Sequence, residues 1–293
     1  MDAIVLAGQD FDYGDFREIS FSSPQTLFDF DIVLWDLRWL CFSYRFETLE
    51  IYPGWAEPKR LMFRDDLKQK ILRDRKRRIS EIEHLLDMGG ALVIMVSIPI
   101  IYSFSEDVHN KNGNNKVLDN YSFLPPAIEK PIRDKLVEGS GSKIEFKGNK
   151  ALLPAWNKIK HISHYSAYFT SGIGDSFLYV KDTNYSVGSW FSYRNGQVFL
   201  IPHTPDDGGD DYPDFVNAAK QLVNDVRTKI PNKDFYLPKV ETKKEKPPKD
   251  KAETPRAKQN KSVKNKKEIT INVHGNISGS NIIIGNDNKI GDS

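Results

Sequence analysis

Residues 64–96 read RDDLKQKILRDRKRRISEIEHLLDMGGALVIMV, and this stretch decides the fold. Leu67, Ile71, Ile79, Ile82 and Leu86 recur at three- and four-residue steps, with Arg75 the interruption, which predicts a helix over 64–88. The opposite face is expected to carry Arg73, Lys76, Arg77, Arg78 and Glu83 into solvent. Gly89-Gly90 stops the helix, because glycine accepts the left-handed backbone a helix end requires. Ala91 to Val96 follows at once as an unbroken apolar run, the kind found in the middle of a parallel sheet. Helix, glycine turn and buried strand together are the second half of a β-α-β unit.

Working outward, Ala3–Leu6 and Ile32–Leu37 are apolar runs that supply earlier strands. Residues 105–116 are polar and rich in Asn and Gly, which predicts a long surface loop. Shorter helices are expected at 127–138 and 154–169. From Ser176 the signals change to hairpins: Phe177–Val180, Ser186–Tyr193 and Gln197–Ile201 read as strands, the last two joined through Arg194-Asn195-Gly196. Tyr212–Ile230 closes the body as an amphipathic helix. The expected architecture is an α/β three-layer sandwich with a mainly parallel sheet.

The 293 residues are 39% hydrophobic and 12% aromatic, enough for a packed core. The net charge of +2 hides an asymmetry: residues 239–267 carry 12 Lys/Arg against 4 Asp/Glu, while residues 1–238 carry 29 against 33. Residues 239–267, rich in Lys, Pro and Glu with almost no apolar side chains, are expected to be a disordered basic tether. The single cysteine, Cys41, excludes an intramolecular disulfide framework. Met1-Asp2-Ala3 has no basic region or long apolar run behind it, so no signal peptide is expected. The Ala91–Ile101 run, broken by Ser97 and Pro99, is too short to span a bilayer. A soluble, cytoplasmic protein is the expectation.

The last residues, 268–293, read EITINVHGNISGSNIIIGNDNKIGDS. Ile269, Ile271 and Val273 alternate with polar residues, and Ile277, Ile282, Ile283, Ile284 and Ile290 follow among turn-forming Asn and Gly. So small a β unit cannot bury its own apolar face and needs a partner. Low charge, absence of proline and the Asn content suit stacking on identical copies; docking on the chain's own body is the alternative.

Two resemblances extend these readings. Gly275-Asn276-Ile277, Gly279 to Gly285 and Asn286 to Gly291 resemble the Gly-Asn-Ile-rich terminal motifs of bacterial and fungal amyloid-type signalling proteins. That resemblance implies templated β-stacking between a receptor and an effector. Phe30 to Asp36, Arg77 to Glu81, Gly89 to Val93 and Asn195 to His203 resemble the class I glutamine amidotransferase-like superfamily, which implies a flavodoxin-like body over residues 1–238. The superfamily's catalytic Cys sits between glycines on a strand-to-helix elbow. Cys41 instead lies in Leu40-Cys41-Phe42-Ser43 and reads as a buried, inert thiol, so glutamine hydrolysis is not expected.

In an open parallel sheet, ligands sit beyond the carboxyl ends of the strands. The residues expected there are Gly8, Asp10, Asp36, Arg38, Ser97, His203 and Thr204, with Asp36 and His203 the catalytic candidates. Ordinary strand-end polar residues are the plainer reading of the same set. Asp206-Asp207-Gly208-Gly209-Asp210-Asp211 lacks the spacing of a calcium loop and reads as a solvated turn, and His161 and His164 have no third ligand in metal spacing. No metal or cofactor is expected. The resulting expectation is a sensor or signalling body, in antiviral defence, whose tail assembles with itself or with a partner carrying a similar motif. The rivals are a hydrolase switched on by clustering, with a site near Asp36 and His203, and a nucleic-acid binder using the 64–88 helix and the tether.

Overall fold

The computed structural model describes residues 1–7, 11–12, 16–38, 40, 43–44, 48–51, 60–105, 116–203 and 212–230. Gly8, Asp10, Cys41, Thr204, the 206–211 run, the tether and the terminal segment lie outside the described residues. Contacts divide the chain into two units, Met1–Thr242 and Lys243–Ser293, and every described residue belongs to the first.

The elements, in chain order, are strands β1 (Ala3–Ala7), β2 (Phe11–Asp12), β3 (Arg17–Ser20), β4 (Ile32–Asp36), β5 (Thr48–Ile51) and β6 (Arg60–Arg64), then helix α1 (Asp65–Asp87) and β7 (Ala91–Met95). There follow β8 (Ile101–Ser105), β9 (Lys116–Asp119), α2 (Pro126–Arg133), β10 (Leu136–Gly141), β11 (Ile144–Phe146), α3 (Leu153–Ile159) and β12 (Tyr165–Phe169). The last are β13 (Asp175–Val180), β14 (Ser186–Tyr193), β15 (Gly196–Ile201) and α4 (Tyr212–Lys229).

Among the described residues, the main sheet is mixed. Its centre is five parallel strands in the order β3-β1-β4-β7-β15. Antiparallel strands extend both ends: β2 beyond β3, and the hairpin wing of β14, β12 and β10, with β13 and β11, beyond β15. A second, four-stranded sheet runs β5-β6-β8-β9.

The central strands are continuous apolar runs because both their faces are covered. Ile4, Leu6, Val33, Trp35, Leu92, Ile94, Val198 and Leu200 share one core with Leu67, Ile71, Ile82, Leu85 and Leu86 of α1. Their neighbours Val5, Ile32, Leu34, Val93, Phe199 and Ile201 share the other with Trp156 of α3 and Phe215, Leu222 and Val226 of α4. Alternation at period 2 thus divides the strands between two helical layers, which is the three-layer α/β arrangement. Helix α1 ends as its glycines require: Gly89 has φ +83°, its N–H donates to Leu86 O at 3.2 Å, and Gly90 N–H donates to Leu85 O at 2.8 Å.

Several expectations are corrected. Arg78 does not face solvent; it is fully buried. It stands seven residues after Ile71 and four before Ile82, on the core stripe itself. Its guanidinium donates to Glu81 Oε2 at 2.6 Å and to the carbonyls of Phe21 (3.1 Å), Gln25 (2.9 Å) and Ser23 (2.9 Å). The helix expected at 154–169 stops at Ile159, and residues 165–169 are strand β12, paired with β10 and β14. The helix at 127–138 also stops early, at Arg133, and gives way to β10. In the β14–β15 hairpin, Arg194 takes the positive φ (+56°) and Gly196 already belongs to β15. Glycine is needed at 196 for packing: a Cβ there would stand 2.4 Å from Gly90 O.

Candidate functional site

The register of the parallel strands lines up Asp36 of β4, Met95 of β7 and Ile201 of β15 in one row. Arg38, Ser97 and His203 each lie two residues beyond that row, at the carboxyl end of their strand. All four polar residues, Asp36 included, are buried.

Asp36 accepts four hydrogen bonds. Its Oδ1 takes Arg38 N–H at 3.0 Å and Arg38 Nε–H at 3.1 Å; its Oδ2 takes Arg38 Nη2–H at 2.7 Å and Tyr212 Oη–H at 3.0 Å. Burial alone pushes this carboxyl up, but the charge and hydrogen bonds of Arg38, with a contribution from His203, overcome burial and hold it below its usual range. Burial, reinforced by the Asp36 carboxylate, pushes the Tyr212 phenol far up, so Tyr212 is a neutral donor. Asp36 is therefore an ionised anchor with its lone pairs occupied, and a poor proton acceptor.

His203 joins the sheet through an antiparallel bridge to His164: His164 N–H donates to His203 O at 2.7 Å, and His203 N–H donates to His164 O at 2.9 Å. Its Nε2 lies 3.0 Å from Ser166 Oγ, which also accepts the Ile98 N–H at 3.2 Å. Ser97 belongs to a separate network. Its Oγ accepts from Asn120 Nδ2 at 3.2 Å, and its N–H donates to Tyr121 Oη at 3.3 Å. Asn120–Phe123 is a buried turn capped by Asp119, so the Tyr121–Pro125 stretch is a packed connector.

The structure thus brings Asp36 and Arg38 into direct contact and sets His203 within electrostatic reach of Asp36. Ser97 is turned to its own partners, and Gly8, Asp10 and Thr204 lie outside the described residues. Tyr212 and Ser166 were not anticipated at the site. Ser166 was hidden by the helical reading of 154–169. Tyr212 was marked only as a helix start, though its place after β15 carries it to the same end of the sheet.

The other candidates lose ground. The basic face of α1 is reduced to exposed Arg73 and Lys76, since Arg78 is buried, Arg75 Nε donates to Ser122 O, and Arg77 lies 3.9 Å from Asp74. His161 and His164 are not on a helix, and no group of three or more metal-type ligands occurs among the described residues. No helix among them is long and apolar enough to cross a membrane.

No protein-family model matches the chain, and no curated protein matches it. Among solved structures, cytoplasmic protein STM3548 from Salmonella typhimurium is similar at 11% identity and a TM-score of 0.36, over 76% of this chain and 99% of that one.

Proposed function

We propose that the protein is a signalling protein with a flavodoxin-like, amidotransferase-like body that lacks the superfamily's nucleophile. Its body binds a small polar ligand beyond the carboxyl ends of the parallel strands. Residues 268–293 assemble copies, or pair them with a partner bearing a similar motif, as antiviral signalling would require. One observation carries the ligand-binding half: the Asp36–Arg38 pair ends the strand beside which the order β3-β1-β4-β7-β15 reverses direction. Crevices open at such switch points in α/β sheets. The parallel order itself supports the flavodoxin-like reading. The position of the lone cysteine, in Leu40-Cys41-Phe42-Ser43 without flanking glycine, supports the loss of amidotransferase chemistry.

The test is thermal unfolding of the full-length protein against a panel of nucleotides, amino acids and small carboxylates. At least one should raise the melting temperature in a concentration-dependent way, and His203→Gln should remove the shift. A panel without effect, or a shift that survives the substitution, contradicts the proposal. One contact favours a second reading, an enzyme working at the same strand ends: the approach of Ser166 Oγ to His203 Nε2.

A further inference from the structure

We infer that Ser166 is a nucleophile and His203 its general base, and that the site hydrolyses small carboxylic esters through an acyl-serine. This goes beyond ligand sensing, which needs no nucleophile, so either reading can fail without the other.

The geometry begins with the 3.0 Å separation of Ser166 Oγ and His203 Nε2, within the reach a base needs to take a hydroxyl proton. Both residues are held by backbone pairing rather than by loose loops. Ser166 lies within β12, which pairs with β10 and β14, and His203 is pinned through both hydrogen bonds of its bridge to His164. The Ile98 N–H donates to Ser166 Oγ, so the hydroxyl's own proton is left for Nε2 when the imidazole carries its proton on Nδ1. A third element is electrostatic. Asp36 is an ionised, buried carboxylate within electrostatic reach of His203, and its pull on the imidazolium is opposed by the Arg38 cation paired with it. Ser166 is 8% exposed and His203 4%, so the pair is largely shielded from bulk water.

In the first step, Oγ bonds to the ester carbonyl carbon while its proton moves to His203 Nε2. The bond from that carbon to the alcohol oxygen breaks, and the imidazolium returns the proton to the departing alkoxide. A water, giving its proton to the same nitrogen, then attacks the acyl-serine. The acid leaves, and Ser166 recovers its hydrogen from the imidazolium.

The alternative role is a structural hydroxyl that satisfies the Ile98 N–H and reacts with nothing. Diisopropyl fluorophosphate added to the full-length protein distinguishes the two by intact mass and peptide mapping. One adduct should form and map to Ser166. Ser166→Ala should abolish it, and His203→Gln should slow labelling about a hundredfold or more, with the far-UV spectrum unchanged in both. Hydrolysis of p-nitrophenyl acetate should fall in step with the label. No adduct on the wild-type protein, or an adduct on a different residue, overturns the inference. Because the wild-type map alone decides this, misfolding of a variant does not rescue it. A ligand-induced melting shift without an adduct would keep the sensing proposal and discard this one.

Discussion

Asp36 carries the electrostatics of the strand ends. Its carboxylate is paired with Arg38 and capped by Tyr212 in a dry environment, where removing one partner of an ion pair costs about 3–5 kcal/mol. Its folded-state pKa lies below the unfolded value, so its stabilisation is present above the unfolded value, about 3.9, and is lost as pH falls through the folded one. Asp36→Asn should therefore be clearly less stable than wild type at neutral pH, and the gap should close below about pH 4. Urea unfolding at a series of pH values measures this. A gap that stays constant down to pH 2 would show that the pair contributes nothing through its ionisation. At this scale the site was partly legible. Asp36, Arg38 and His203 stand where apolar strand runs end, and sequence marks such ends. Ser166 and Tyr212 reach the site only through pairing and helix placement, which no local pattern records.

Helix α1 was readable because three signals agree over it: an apolar stripe at helical spacing, a glycine stop and a buried strand directly afterwards. Its error was Arg78, a charged residue on the core stripe. There it joins the helix to the end of β3 and the segment after it, with Ser20, Phe21, Ser23 and Gln25 all supplying carbonyl oxygens. Arg78→Met should cost about 3–5 kcal/mol, since Glu81 would be left buried without its cation and those carbonyls without a donor. Chemical denaturation checks this; a loss under about 1 kcal/mol, the range of exposed pairs, would mean the clamp is energetically idle. Strand β10 was missed for a different reason. Residues 136–138 read as the end of the helix expected at 127–138, and the strand continues through Gly139 and Gly141, where a Cβ would meet the ring of Tyr168 (2.6 Å) or the hydroxyl of Tyr165 (2.7 Å) on the paired strand. The glycines make room for those rings, and a packing requirement of this kind is invisible until the partner strand is known. The Tyr165–Phe169 segment failed as a helix because five residues are too few to separate a period of 2 from one of 3.6.

At the scale of the whole molecule, the two helical layers, the central sheet and the hairpin wing close around two cores, which among the described residues draw on residues 3–230. A chain ending at residue 238 should consequently fold by itself, with a cooperative melt followed by circular dichroism; a non-cooperative melt would show that the body needs its C-terminal segments. The division of labour proposed for this protein then rests on residues 268–293. Burial of each isoleucine on assembly is worth roughly 1.5–3 kcal/mol, and the gain recurs with every added copy. Lysines at 283 and 284 would set like charges about 4.8 Å apart in any in-register stack and bury at least one of them unpaired. The most direct measurement is sedimentation velocity of the full-length protein beside its Ile283→Lys/Ile284→Lys variant, with the melting of both recorded. The account predicts that the wild type sediments as assemblies while the variant sediments as a monomer with an unchanged melt. Identical sedimentation of the two proteins would contradict it.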